Sequence, residues 1–240
     1  MQLMIYINLE SPLILPVNYN HILQAVIYQG IGKASDFGNF MHEEGYYLRQ
    51  RQYKMFQFSQ LSGKYSIKNN QIIFRNQVFF EVRSLDPGFL RLLGESFWRY
   101  GITFGSHKYG DIQMELYDYT VEDNELLIRM KSPITVYSTE EETGRTYYFD
   151  PEESLFYQSI NGNFFRKYQA YYGLPPISDI QMNLCDNKVP RKVVTKYKGI
   201  YITGWLGTYK ISGERKYLDF LYQTGLGAKN SQGFGMFSIL

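Results

Sequence analysis

Apolar and polar positions change period several times along the chain, and each change predicts an element. QLMIYINLE (2–10) reads as a strand, and SPLILP (11–16) turns the chain. In NYNHILQAVIYQGIG (18–32), Ile22, Leu23, Val26 and Ile27 recur at helical spacing, with Gly30 and Gly32 weakening the helix end. SDFGNFMHEEG (35–45) predicts a second short helix, capped by Ser35 or Asp36, burying Phe37, Phe40 and Met41 and stopped by Gly45. Strands over 53–61 and 66–84 follow, the latter with an Asn-Asn turn near its start. A helix over 86–101 is opened by Pro87 and closed by Gly101, and a strand occupies 111–121.

The pattern then repeats. A strand over 124–137 leads into an acidic loop, and a helix over 150–173 starts at Pro151 with acids in its first turn. Strands over 179–186 and 192–212, a helix over 213–225 and a closing strand over 234–240 complete it. Two βαββαβ runs, joined near Tyr119–Asn124, predict an α+β chain of two tandem ferredoxin-like (RRM-like) domains, 1–120 and 121–240.

Composition adds a bias toward flat, wet surfaces. The 240 residues are 44% hydrophobic and 20% charged, ordinary for a globular chain with a sizeable core, but they include 23 Tyr and 17 Phe. Such a count suits either a β-rich protein or a surface on which bases stack. Net charge is only +2, yet it is unevenly placed. From Lys188 to Lys216 the only acid is Glu214, whereas acids gather over Glu122–Glu153. That asymmetry fits a polyanion footprint or a solvated strand face. Cys185 stands alone, and His21, His42 and His107 show no metal-binding spacing, so neither a metal nor a cofactor is expected. The N-terminal stretch reads as strand and turn, and no segment is apolar for long enough to span a bilayer, which makes the cytoplasm the expected location.

GLGAKNSQGFG (225–235) is the most unusual stretch. Dinucleotide and P-loop sites need a strand before the glycines and a helix after them. Here a helix comes first and only a strand's length follows. Two readings remain: a tight helix-to-strand crossover, or a loop whose amides, with Lys229, Asn230 and Ser231, press against a sugar-phosphate backbone. Two Gly-x-Gly pairs favour the second.

With these elements in place, the chain resembles the CRISPR-associated repeat-processing endoribonucleases, the Cas6 group of the RAMP superfamily. Gly225-Leu226-Gly227 and Gly233-Phe234-Gly235, separated by five residues, match that family's C-terminal loop. LPVNYNHILQAVIYQGI resembles its first helix, NFMHEEGY its histidine segment, and YKMFQFSQL the strand after it. In the family a Tyr, a His and a Lys from these three places carry the cleavage. The resemblance therefore implies Tyr28, His42 and Lys54, in the first domain, with Arg49 or Arg51 able to share or replace the lysine's part. It further implies metal-independent cleavage of CRISPR precursor RNA within its repeats, by 2′-OH attack, leaving a 2′,3′-cyclic phosphate and a 5′-OH. Gly225, Gly227, Lys229, Asn230, Ser231, Gly233 and Gly235, with Arg191, Lys192, Lys196 and Lys198, are the expected RNA contacts, in the second domain. The repeat RNA, single-stranded or hairpin, is the expected partner. A Cas interference complex and a second copy of the chain are left open, and no membrane is involved.

The residues suit that chemistry. A histidine, with an ordinary pKa of about 6.5, gives or takes protons near neutrality and contributes typically about 10²–10⁴-fold. Lys54 supplies charge where the transition state becomes more negative. Tyr28, ordinarily near a pKa of about 10, is better suited to positioning the 2′-OH than to removing its proton. Each has a plainer reading: a surface histidine, or a tyrosine at the edge of the core. His21 at the helix start and His107 in a loop are read as structural. Two other functions stay open. One is a non-cleaving RNA-binding subunit of the same fold, against which the presence of His42 counts. The other is a nucleotide-binding metabolic enzyme, against which the missing helix after the loop counts.

Overall fold

The structure of the chain, a computed structural model, describes residues 1–32, 45–185 and 189–240. The predicted helix over 35–45 lies outside the described residues but for Gly45, and with it His42.

β1 (Gln2–Asn8) and β2 (Leu13–Pro16) lead into α1 (Asn20–Gly32). A short hairpin of β3 (Tyr46–Leu48) and β4 (Arg51–Tyr53) precedes β5 (Phe56–Phe58), β6 (Ser62–Lys68) and the long β7 (Gln71–Ser84). Then come α2 (Pro87–Tyr100), the hairpin β8 (Ile102–Phe104) and β9 (His107–Tyr109), and β10 (Ile112–Tyr117). β7 is the spine of this half. Its one edge pairs with β1 and β2 in succession, and its other edge with β5 and β6. β10 closes the far side of β1, so β10-β1-β7-β5 run antiparallel. Alternation turns Leu3, Ile5 and Ile7 of β1 inward against Leu23, Ile27, Phe89 and Leu93 of the two helices. Each such side chain contributes about 1.5–3 kcal/mol on burial. α2 starts cleanly because the Asp86 carboxylate accepts from Gly88 N at 2.8 Å and Phe89 N at 3.3 Å, with Pro87 following the cap.

The second half repeats the plan with additions. β11 (Glu125–Met130) is followed by the hairpin β12 (Tyr137–Thr139) and β13 (Thr146–Tyr148), then α3 (Ser154–Tyr172) and β14 (Gln181–Leu184). The hairpin β15 (Arg191–Tyr197) and β16 (Ile200–Leu206) is inserted before β17 (Thr208–Ser212), α4 (Arg215–Thr224) and β18 (Phe237–Ile239). The sheet order is β18-β11-β17-β14, all antiparallel. Each half thus places its fourth βαββαβ strand beside its first and its third between its first and second, the tandem ferredoxin-like architecture.

Two departures from the sequence pattern matter later. The strand expected over 124–137 ends at Met130, because Pro133 has no N–H for a ladder, and 131–136 runs on as an irregular segment in which Ser132, Ile134, Thr135 and Val136 are buried. The expected acidic loop carries the β12–β13 hairpin, whose three-residue strands are too short to show a period.

Polar groups join the halves. Glu81 and Arg83 of β7 are each only 2% exposed and bonded at 2.5 Å, and Lys131 from the second half also donates to Glu81. Burial pushes the Glu81 carboxyl up, but Arg83 and Lys131 together hold it below its ordinary value. Arg83 also donates to Phe237 O at 2.8 Å and lies 3.8 Å over the Tyr222 ring. Gln57 adds a bond to Tyr222 O at 2.7 Å. All these contacts set β5 and β7 against the end of α4 and β18, and so fix the ground on which the glycine loop stands.

Candidate functional site

α4 ends at Gly225, and the chain reaches β18 through a loop whose four glycines all have positive φ, from +67° to +86°. The need for glycine is plainest at Gly235, where a Cβ would stand 2.0 Å from Leu226 O. Much of the loop's backbone is spent internally. Leu226 N donates to Gly235 O, Ala228 N to Thr135 O, Gly235 N to Pro133 O, and Met236 N to the Ser132 hydroxyl. The irregular segment 131–136 is therefore the cradle of the loop.

Two side chains fill the loop from within. Asn230, buried, donates to Leu226 O at 3.0 Å and Phe234 O at 3.1 Å. Its own oxygen accepts from Lys167 of α3 at 3.0 Å. The buried Lys167 ammonium also donates to Gly225 O at 2.5 Å and lies 3.4 Å from both Thr224 O and the Thr224 hydroxyl. Burial pushes its pKa from 10.5 down to about 7. From outside, α1 clamps the loop across the two halves. Asn20 donates to Gln232 O and Gly233 O, both at 3.3 Å, and Gln24 to Ser231 O at 2.6 Å. The glycines and Asn230 are buried and shape the loop, while Ala228, Lys229, Ser231 and Gln232 form its partly exposed rim.

That rim is one wall of a cleft of about 720 Å³. The β4–β5 stretch contributes Arg51 and Lys54, α3 contributes Arg166 and Lys167, and Tyr137–Thr139 faces them. With Lys229, that is five basic side chains, of which the buried Lys167 is only partly charged near neutrality, and no carboxylate among the described lining residues. A cleft of this kind is built for an anion, and the Asn, Gln, Ser and Thr side chains around it offer neutral hydrogen bonds. Burial lowers the Lys54 pKa, as expected of an ammonium withdrawn partly from water. Lys229 takes a positive φ of 60° and carries its ammonium 5.0 Å over the Tyr137 ring.

Tyr28 sits at the margin of this cleft and touches two of its lining residues. Its ring stands edge-on to Phe56, with centroids 5.8 Å apart, and its hydroxyl bonds Ser231. Burial raises its pKa to about 12, against a smaller opposing effect of that bond. At neutral pH it is a hydroxyl donor, not a base. Tyr28 and Lys54 thus converge on the glycine loop, while His42 lies outside the described residues.

Arg191, Lys192, Lys196 and Lys198 lie exposed on the β15–β16 hairpin. Alternation puts Lys192, Val194 and Lys196 on one face, with Trp205 and Tyr201 among their cross-strand partners, and Lys198 follows in the turn. Lys192 lies 5.7 Å over Trp205 and Lys196 5.7 Å over Tyr201, a basic and aromatic stripe. The hairpin is tied to α1 and the segment before it, since the Tyr197 hydroxyl bonds Gln24, the residue that holds Ser231, and Lys196 N donates to the Asn18 side chain at 3.0 Å. Arg166 and Lys167 were not legible as site residues, because in FFRKYQ they look like the solvated edge of an aromatic helix.

Comparison with known proteins agrees with this layout. The family model described as CRISPR associated protein Cas6, C-terminal, matches residues 115–239. A CRISPR-associated endoribonuclease Cas6 of Pyrococcus furiosus is 36% identical over 108 residues, 45% of this chain and 39% of that protein. Cas6 1 of Methanocaldococcus jannaschii, also described as a CRISPR-associated endoribonuclease, is 30% identical over 113 residues, 46% of this chain and 43% of that protein. The chain thus spans less than half the length of either curated relative it matches. Among solved structures, a Cas6-related protein from Pyrococcus furiosus superposes with a TM-score of 0.82 at 20% identity, covering 100% of this chain and 98% of that one. A RAMP protein described as binding different RNA substrates gives 0.82 at 20% identity, with 100% and 99% covered. At such identity these two likenesses show the fold.

Proposed function

Since the chain belongs to the CRISPR-associated Cas6 family, we propose that it is an endoribonuclease that cuts CRISPR precursor RNA within its repeats. The observation that carries this reading is the cleft itself: Arg51, Lys54, Arg166 and Lys229 with the partly charged Lys167, no carboxylate among the described lining residues, and a rim set by the glycine loop and Tyr28.

In the proposed reaction the ribose 2′-OH attacks the adjacent phosphorus. The P–O2′ bond forms, the P–O5′ bond breaks, and the products are a 2′,3′-cyclic phosphate and a 5′-OH. One proton leaves the 2′-OH and another reaches the departing 5′-oxygen. His42 handles one of these transfers, since its side chain changes charge near neutrality. Tyr28, protonated at any physiological pH, donates a hydrogen bond that orients the reacting ribose or phosphate. Lys54 stabilises the charge that builds on the phosphorane, and Arg51 beside it in the cleft is able to add to that field. The basic and aromatic β15–β16 stripe grips the RNA away from the cut, by phosphate contacts and base stacking. No step of this scheme calls on a metal ion.

Product-end analysis tests the scheme. End-labelled repeat RNA incubated with the protein in excess EDTA is expected to yield one cut whose upstream fragment carries a cyclic phosphate by mass and whose downstream fragment is labelled by polynucleotide kinase without prior phosphatase. A 3′-hydroxyl on the upstream fragment, or cleavage that returns only with added divalent metal, rules the scheme out.

A further inference from the structure

Arg166 is the cleft cation whose setting is unexplained by the fold. It lies one helical turn after Gly162, in the interior of α3, where glycine is normally a cost to the helix. A Cβ at Gly162 would stand 3.3 Å from one terminal guanidinium nitrogen of Arg166 and 3.5 Å from the other. The guanidinium is therefore laid back along the helix over the bare backbone of Gly162, in the direction that helical side chains lean. Its Nε is buried and has no hydrogen-bond partner among the described residues. The cleft it lines offers it no carboxylate among the described residues. Lys167, next in sequence, is buried and spends its ammonium on Gly225 O and the Asn230 oxygen beneath the glycine loop.

A fork of N–H donors held in place, short of an acceptor and facing a cationic cleft, matches a phosphodiester, which guanidinium binds through two parallel hydrogen bonds. We propose that Arg166 is a phosphate-binding residue of the cleft and that Gly162 is kept small to hold it ready. This deepens the RNA reading above and rests on it. The helix wall then grips a backbone phosphate opposite the loop rim, so that the RNA passes between α3 and Lys229.

The test measures equilibrium binding of a fluorescent single-stranded repeat RNA across a salt series, with thermal unfolding in parallel. Four proteins are compared: wild type, Arg166→Gln, Arg166→Lys and Gly162→Ala. Loss of one phosphate contact in Arg166→Gln is expected to weaken binding about tenfold and to reduce the log–log salt slope by about 0.7, the single-strand value for one neutralised phosphate. Arg166→Lys restores the slope but not the whole affinity, because an ammonium makes no fork. Gly162→Ala is the sharper test: the helix becomes more stable, so the melting temperature rises or holds, while RNA affinity falls. Unchanged affinity and slope in Arg166→Gln overturns the proposal while leaving the RNA reading intact. Unchanged affinity in Gly162→Ala overturns the part given to the glycine. A wild-type protein that binds no RNA overturns the RNA reading, and this proposal with it.

Discussion

Gly235→Ala is expected to lower the melting temperature by roughly 4–24 °C, about twice the roughly 2–12 °C expected for Gly105→Ala, also at positive φ. The two positions share a positive φ and differ in surroundings. Gly235 has φ +79° and a Cβ would stand 2.0 Å from Leu226 O, whereas Gly105 has φ +60° and nothing within 4 Å. The unfavourable φ costs about 1–3 kcal/mol at either place. At Gly235 a carbonyl, Leu226 O, that cannot move without disturbing the hydrogen bond it accepts from the Asn230 amide adds about 1–3 kcal/mol of overpacking. For a chain of this length each kcal/mol moves the midpoint by about 2–4 °C. RNA binding by any Gly235→Ala protein that still folds is expected to fall too, because Lys229 and Ser231 ride on the same loop. Equal melting losses at the two glycines, measured by differential scanning calorimetry, contradict the claim that close packing dictates the loop glycines.

The second large effect is expected at Lys167. Replacing it by methionine keeps most of its volume but leaves Gly225 O and the Asn230 oxygen without their donor inside the protein. A buried acceptor left unpaired costs about 1–3 kcal/mol, so about 2–6 kcal/mol for the two. The loss depends on pH, with a definite sign. In the unfolded chain the lysine holds its proton up to about 10.5, and in the folded protein only up to about 7. Between these values the unfolded state binds more protons, so this group makes wild-type stability rise with pH, and below about 7 it contributes no slope. Lys167→Met has no such group. Its deficit relative to wild type should therefore be smaller at pH 6 than at pH 9. Paired denaturant titrations at the two pH values check this, and a deficit that is the same at both shows that burial does not depress the Lys167 pKa.

Much of this architecture was legible as periodicity. The stripe of Leu23, Val26 and Ile27, the Pro87 and Gly101 boundaries of α2 and the Asn-Asn turn that precedes β7 each declared an element or its limits. Repeating the same order twice was enough for the tandem ferredoxin-like fold. The hairpins β3–β4, β8–β9 and β12–β13 were not legible, since three residues hold no period and their pairing is settled by neighbours distant in sequence. Pro133 was a visible break in the strand expected over 124–137, but nothing local showed that the buried stretch after it would cradle a loop some ninety residues further on.

The site was legible by residue type more than by arrangement. The glycine spacing marked the loop, and the structure supplies the reason for it: the glycines serve close packing, while Lys229 and Ser231 carry the exposed chemistry. Asn230 offered a surface role in the sequence because an asparagine between lysine and serine looks solvated, yet its amide is the bolt that closes the loop. Lys167 and Arg166 were hidden for a related reason. Adjacent basic residues on a helix point about a quarter-turn apart or more, and only the packing decides that Lys167 is buried against the loop while Arg166 keeps its guanidinium free of such bonds at the cleft.

Single-turnover cleavage of repeat RNA in EDTA, by wild type and by His42→Ala with binding measured alongside, tests the central claim most directly. The account predicts that the wild type cuts without metal, that the mutant's rate falls by at least about 10²-fold, and that the two bind RNA equally well. Tight binding with no cut by either protein would make the chain a holder of repeat RNA, and undiminished cutting by His42→Ala would remove the histidine from the chemistry.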